Sequence, residues 1–439
     1  MIEDYRLEDA NGILHIFNGR IVFDNDLAEA IVLDSTNIRT VFIDKDYHGK
    51  FMPKMFINLI LTQSQEFVLY KYRGLYNVEI GSSSYFTQIN SQDSVSEGND
   101  LFFSTFRALI TDKPLFEDIF TNEDGTRSDL PDEGESIDNI SDLWMLLVDQ
   151  HALEANKARV DNSTPYTNTT VANVCAKMLV SYEGPQPIQF DEPDNTTVYE
   201  QILIQNKNLR NSIVLAMQEG AYGVYAGGLT LFIDYHRIYL MSKWGVNGLA
   251  DEDPLEVVIH HSPQARNVPA CVLNDDPMNP IVIAPSGAYT IGKNDLADEL
   301  SPPVVNYHSS DSFNERISFD NEAEAWEVGD GVLDQVTYDE MNTKEGIAQR
   351  SAYAYADDGN ILNIQSKHED GRHRIDIKTT IEDSDPWMFM PNYKYRLSFD
   401  SPSEESMFGG SYKITRASHL FTKIDAKGDF RCATIGIFR

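Results

Sequence analysis

The sequence predicts an α+β fold that is mainly β. Two antiparallel β-barrel or sandwich domains flank an α/β middle domain, with a short helical insertion between the first β domain and the middle. Three observations predict this. Apolar runs of strand length recur roughly every ten residues over the first eighty positions. Helical apolar periodicity is concentrated in the middle of the chain. The last fifty residues return to alternating, aromatic-rich segments that suit half-buried sheets. A chain of 439 residues is also too long for one ordinary core.

At the N-terminus, Ile13–Phe17 and Arg20–Phe23 read as strands joined at Asn18-Gly19. Asn-Gly tolerates the positive φ values of a type I′ hairpin turn. Further strands are expected at Ala30–Leu33, Thr40–Ile43, Met55–Leu61, Phe67–Tyr72 and Leu75–Ile80. Ser91–Asp100 is polar and reads as a linker or long loop. Phe116 to Ile140 is an acidic insertion leading to a helix from about Ser141, with Leu143, Leu146, Leu147 and Leu153 on one face.

The α/β region begins at Pro165. Val171, Val174, Cys175, Met178 and Leu179 form one helical stripe, with Asn168 as its expected cap. Thr197 to Glu200 has capping-box spacing ahead of Ile202 and Leu203, and a third helix runs from Leu209 to Gln218, stopped by Gly220. A meander follows: Tyr222–Ala226, the turn Gly227-Gly228, Leu229–Asp234 and Arg237–Ser242. Leu255–Ile259 and Ile281–Ile283 look like strands in a proline-punctuated stretch, and Asn363 to Ile381 returns to β. Tyr393–Phe399, Tyr412–Thr415, His419–Lys423 and Phe430–Ile437 close the chain as strands.

Side-chain chemistry points away from catalysis. The GxSxG, Walker and HExxH patterns do not occur. Gly220–Gly228 is glycine-rich but lies between strands, without the strand–loop–helix setting of a phosphate cradle. His260 and His261 are adjacent on a strand and point to opposite faces, so they do not ligate one metal. His368 and His373 flank a polar loop with no third close ligand. Asp251-Glu252-Asp253 and Glu322-Ala323-Glu324 are acid pairs in a protein full of acids. Cys175, Cys271 and Cys432 are far apart and odd in number, which reads as buried thiols. No catalytic, cofactor or metal residue is therefore assigned. The first ten residues lack the pattern of a signal peptide, no apolar run has the character of a membrane span, and a cytoplasmic folding site is expected.

The charge is extreme: 69 acidic against 35 basic side chains, a formal net charge of −34. Such a surface repels nucleic acid and opposes its own compaction. With 41% hydrophobic residues the chain is nonetheless a folded protein.

One ordering of elements resembles a known family. It comprises Thr164-Pro165-Tyr166 before a helix near Asn168, then Gln189-Phe190-Asp191, the segment Thr197–Ile204, and Glu219-Gly220-Ala221-Tyr222-Gly223-Val224-Tyr225 leading into Leu231-Phe232-Ile233-Asp234. Gly410–Arg416 with His419 and the final strand completes it. This resembles the baseplate hub proteins of contractile-tailed bacteriophages and their relatives in contractile injection systems. The resemblance is tightest over Pro165–Lys243; Phe116–Val160 and Asp311–Asp358 do not map onto it.

The resemblance implies tube-type β domains at residues 1–115 and at 246–310 with 385–439. It implies a middle domain at 165–245, while the acidic insertion with one helix at 116–164 and the additional β-rich segment at 311–384 are expected from the sequence itself. It further implies a homotrimeric ring in the virion baseplate, assembled in the host cytoplasm, whose partners are the tail tube protein, the central spike protein and baseplate wedge proteins. DNA would pass transiently without specific binding. Ile16, Phe17 and Ile21 in the N-terminal hairpin, and Tyr412 and Ile414 in the last one, are the expected interface residues. The alternatives are a wedge or tube-terminator protein, a tail-associated glycan hydrolase, and a host protein acting through its acidic face.

Overall fold

The computed structural model describes residues 10–88, 95–96, 100–111, 140–160, 165–182, 188–242, 256–261, 271–272, 281–291, 304–309, 316–319, 333–342, 346–353 and 375–438, apart from breaks at 35, 49, 205–207, 220–222, 226–228, 236, 285, 392 and 425–427. The N-terminal part contributes β1 (Ala10–Phe23), β2 (Ile31–Leu33), β3 (Ile38–Asp46), β4 (Lys54–Thr62), α1 (Gln63–Lys71), β5 (Tyr76–Gln88), β6 (Val95–Ser96), β7 (Asp100–Thr111), β8 (Ile140–Asp149) and α2 (Gln150–Lys157). The middle contributes β9 (Tyr166–Thr169), α3 (Val171–Ser181), β10 (Ile188–Phe190), β11 (Tyr199–Ile202), α4 (Leu209–Asn211, continued as π-helix over Ser212–Glu219), β12 (Leu229–Ile233) and β13 (Ile238–Ser242). Then come β14 (Glu256–His261), β15 (Cys271–Val272), β16 (Ile281–Ala284), β17 (Ser286–Ile291), β18 (Val304–Ser309), β19 (Arg316–Phe319), β20 (Leu333–Asn342), β21 (Gly346–Tyr353) and β22 (Ile375–Ile381). The chain ends with β23 (Lys394–Phe399), α5 (Pro402–Phe408), β24 (Gly410–Tyr412), β25 (Ile414–Lys423) and β26 (Phe430–Phe438).

The pairings trace a closed circuit. β1 pairs with β5, β5 with β7, β7 with β8, β8 with β4, β4 with β3, β3 with β25 and β25 with β26, all antiparallel. The pair His15↔Phe430 joins β26 back to β1. This first barrel encloses a core that includes Phe17, Ile21, Val41, Ile57, Met145, Phe106 and Phe421. Three strands of this circuit, β1, β25 and β26, also reach a second core, where β1 and β26 pair into further sheet and β24, just before β25, joins it. The start of β1 pairs with β15, β24 pairs with β23, and the end of β26 pairs with β22. β14 links β16 and β23 through parallel pairings. That sheet encloses a second core, with Ile13, Val257, Ile377, Tyr395, Leu397, Ile414 and Phe438. A separate antiparallel sheet runs in the order β19-β18-β20-β21.

The middle unit is a three-stranded sheet, β10-β13-β12, covered by α3 and α4. Both faces of that sheet are buried. Leu231, Ile233, Ile238 and Leu240 face the helices, whereas Phe232, Tyr239 and Met241 pack into the second barrel core. The stripe of α3 is as expected: Val171, Val174, Cys175, Met178 and Leu179 are all buried. Its cap is Thr170, whose side chain accepts from Asn173 N, and not Asn168, which has a positive φ.

Four local expectations are corrected. Asn18-Gly19 is not a turn; β1 runs straight through it, paired to Gly81 and Ile80. The glycine serves close packing instead, since a Cβ at Gly19 would overlap the Glu79 carbonyl oxygen. Phe67–Lys71 lies in α1, with Tyr72 as its C-cap, and the helix is started by a capping box between Thr62 and Gln65. Residues from Ile140 form β8, and Leu143, Met145 and Leu147 alternate inward at period two. The helix there begins at Gln150, after Asp149 caps it. Thr197 to Ile204 holds the strand β11, which pairs with β9; Asn195 Oδ1 accepts from Thr197 N in a turn. Most of Ser91–Asp100, the insertion at Phe116–Asn139, Gly220, Gly227-Gly228 and residues 354–374 lie outside the described residues.

The Gly19 contact yields a direct expectation. Gly19→Ala should lower the unfolding free energy by about 2–3 kcal/mol in urea titration, through forced separation of β1 from β5. Gly410→Ala, whose Cβ would meet only the Tyr412 ring at 3.7 Å, should cost well under half as much.

Candidate functional site

The chain's unusual chemistry lies where its three units meet. The hairpin of β12 and β13 places successive residues into different cores. Phe232 enters the second barrel core, Ile233 the middle core and Tyr235 the first barrel core, where it meets Phe106 edge-on at 5.3 Å. Between them, Asp234 Oδ2 accepts from Lys45 Nζ of β3 at 2.6 Å, with both side chains almost wholly buried. Asp234 Oδ1 also accepts from Tyr235 N.

A second buried pair ties the other side. Lys413 Nζ, between β24 and β25, donates to Asp191 Oδ2 at 3.1 Å and to Ser242 O at 2.6 Å. Ser242 N donates back to Asp191 Oδ2 at 2.8 Å. Burial pushes the Asp191 carboxyl up and the Lys413 ammonium down, and each is the group that opposes the other's shift. A third contact, Arg416 with Ser418 on Asp44, locks β25 to β3.

Two buried histidines occupy the junction of the shared strands. His15 Nε2 bonds Ser384 O at 3.1 Å, and His419 Nδ1 bonds Thr434 Oγ1 at 2.8 Å. Their other ring nitrogens have no hydrogen-bond partner among the described residues. Burial lowers His15 to about 4 and holds His419 well below the ordinary histidine value, helped by the Lys45 charge. Both imidazoles are neutral in the folded protein.

The outside of the first barrel carries a cross-strand apolar row: Leu109, Leu146, Phe56, Phe42, Leu420 and Ala433, each paired in register with the next. Phe42 and Phe56 stack at 6.2 Å. Phe67 and Tyr70 stand out on the outer face of α1, 68% and 50% exposed.

The expected interface residues are distributed differently from one another. Phe17 and Ile21 are buried in the first barrel core, and Ile414 is buried in the second. Ile16 is 37% exposed on the outer face of β1. Tyr412 is half-buried, donating to Phe408 O at 2.7 Å. The two adjacent histidines are held apart. His260 bonds Ser398 Oγ and Asp400 Oδ1, while His261 stacks on Phe399 on the opposite face. Cys175 and Cys432 are buried free thiols, pushed up to about 12 by burial. Among the described residues, no group of His, Cys, Asp or Glu could hold a metal ion, and no helix is long and apolar enough to cross a membrane. Asp251–Asp253, Glu322, Glu324, His368 and His373 lie outside the described residues. Sequence reading missed Lys45, Asp234, Asp191 and Lys413, because nothing local marks a charge that a distant partner buries.

Residues 16–257 match the family model described as bacteriophage PBS1 gene 109 protein. No curated protein matches the chain. Among solved structures, the chain is similar to the tail protein from Neisseria meningitidis MC58, with 9% identity, 98% of this chain and 97% of that one covered, and a TM-score of 0.44. It is similar to the 43 kDa tail protein of prophage MuSo2 from Shewanella oneidensis, at 10% identity, 96% and 98% coverage and a TM-score of 0.43. A chain of the Francisella PdpA-VgrG complex matches at 9% identity and a TM-score of 0.43, with 99% of this chain and 53% of that chain covered.

Two expectations follow from the seam. Lys45→Met should destabilise by about 3–5 kcal/mol in thermal or urea unfolding, because it strands Asp234 in the interior. Adding Asp234→Asn should recover part of that loss, so the two costs should be far from additive. For the histidines, the folded pKa lies below the unfolded value of about 6.5, so the unfolded chain binds more protons as pH falls. Stability should therefore drop from pH 6.5 towards 4, by roughly 3 kcal/mol for His15 alone when the shift is complete. Urea titrations at pH 7 and 5 should show this drop, and His15→Leu should reduce it.

Proposed function

The chain belongs to the bacteriophage PBS1 gene 109 protein family, and on that premise we propose that it is a structural component of a phage tail: a baseplate hub, forming a homotrimeric ring that joins the hexameric tail tube to the central spike. The observation that carries this reading is the double barrel. Two β units share β1, β25 and β26 and are keyed together by the middle hairpin, which makes one stiff block with two barrel-like halves. Three such blocks in a ring would present a pseudo-sixfold collar to a hexameric tube and a threefold face to a spike. The division into tube-type domains at 1–115 and at 246–310 with 385–439, around a middle domain at 165–245, belongs to this proposal. So do the insertion at 116–164 and the additional segment at 311–384.

The role is mechanical, without catalysis. The net charge of −34 fits it, since a carboxylate-lined passage would repel a DNA duplex during ejection, whereas lysines and arginines would hold its phosphates. The partners in this reading are the tail tube, the spike and the baseplate wedge proteins, and the location is the virion.

Light scattering combined with particle averaging tests the proposal. The expected result is three times the chain mass and a threefold ring with an opening about 20 Å or more across, wide enough for a duplex. A hexamer would favour a tube-terminator role, and a chain that stays monomeric beside tube and spike proteins would sink the hub reading. Release of sugar from host envelope glycan would instead favour a hydrolase.

A further inference from the structure

Two short helices lie at opposite ends of the double barrel. β1 runs from the second core at Ile13 to the first core at Phe23, and β25 runs the same way, from Ile414 to Phe421. α1 sits at the far end of the first barrel, where Tyr72 meets Phe23 edge-on at 5.9 Å. α5 precedes β24 at the far end of the second barrel, with Phe408 packed on the second core. Their exposed faces differ in sign. Phe67 and Tyr70 of α1 are flanked by Glu66 and Lys71, the latter with Nζ over the Tyr72 ring at 4.9 Å, and Arg73 follows the helix, so the cations outnumber the acid; neither cation has an ion-pair partner among the described residues. α5 offers half-buried Glu404, Glu405, whose Oε2 accepts from Phe399 N at 2.7 Å, and Met407, the last 63% exposed.

We propose that the α1 face of one copy docks on the α5 face of the next copy. The inference rests on the ring reading above and names the surfaces that make the ring. Each copy carries a net charge of −34, so most pairs of faces repel when two copies approach. Lys71 and Arg73 against Glu404 and Glu405 reverse the sign of that interaction locally, and Met407 meets the rings of Phe67 and Tyr70 as a soft thioether against aromatics. The two faces belong to different ends of the same chain, so the contact is heterologous. Repeated contacts of that kind close into a ring or run on as a filament. The α1 aromatics are exposed for this contact, while Leu69 on the opposite face of the helix closes the barrel end.

Charge reversal tests the contact, read by light scattering across a dilution series near physiological salt. K71E/R73E should raise the dissociation constant of the assembly by at least about tenfold, and E404K should weaken it in the same sense. Combining K71E with E404K should restore association relative to K71E alone, because the swapped charges attract again. Circular dichroism should be unchanged in every variant, since Lys71 and Arg73 are exposed, Glu404 is half-buried, and none of the three belongs to a core. An assembly whose mass and dilution behaviour ignore K71E/R73E, or a combined variant weaker than either single one, would overturn the contact and leave the ring standing. A monomeric unsubstituted chain, even with tube and spike proteins added, would overturn both.

Discussion

Strands long enough to serve two cores are the constraint on which this structure depends. β1 has 14 residues and spans roughly 46 Å at about 3.3 Å per residue. Ile13 faces the second core, and Phe17, Ile21 and Phe23 face the first. β25 and β26 divide in the same way, with Ile414 and Phe438 in one core and Phe421 and Phe430 in the other. Neither barrel can be completed without strands that the other also holds. The final hairpin, remote in sequence, is a wall of the barrel that the first residues begin.

The middle hairpin extends this coupling to the α/β unit. Its residues alternate between cores, and Asp234 at its end is neutralised by Lys45 of the first barrel. A buried ion pair is seldom a net source of stability, because desolvation consumes most of the attraction. It does penalise wrong docking heavily, since either charge left alone in the interior is costly. Lys413 with Asp191 imposes the same condition on the second barrel. The angle between units is therefore held by charge pairing as well as by apolar packing.

Much of this fold is legible in the sequence where periodicity is unambiguous. The α3 stripe, the helix from Leu209, the hairpin near Leu229–Ser242 and the C-terminal strands occur as expected. The errors arise where two readings share one pattern. Leu143, Leu146 and Leu147 satisfy a helical spacing, yet β8 buries Leu143, Met145 and Leu147 at period two. Asn18-Gly19 has a turn's composition, but the glycine admits a neighbouring backbone. Phe67–Tyr72 has strand composition, and only Thr62 and Gln65 reveal the helix start. That misreading also hid the α1 face, because i and i+3 neighbours such as Phe67 and Tyr70 share a surface only on a helix. The sharing of strands between cores was not legible at all, since it depends on pairings such as His15↔Phe430 and Ile377↔Phe438 that no local pattern encodes.

Native-state hydrogen exchange along β1, β25 and β26 tests the shared-strand account most directly. If the strands couple the barrels, amides near Ile13 and Phe438 should exchange through the same global opening as those near Ile21 and Phe421, with equal free energies and equal denaturant dependence. Exchange of the second-barrel amides through a separate opening, several kcal/mol cheaper and with a smaller denaturant dependence, would show two independent units and contradict the account.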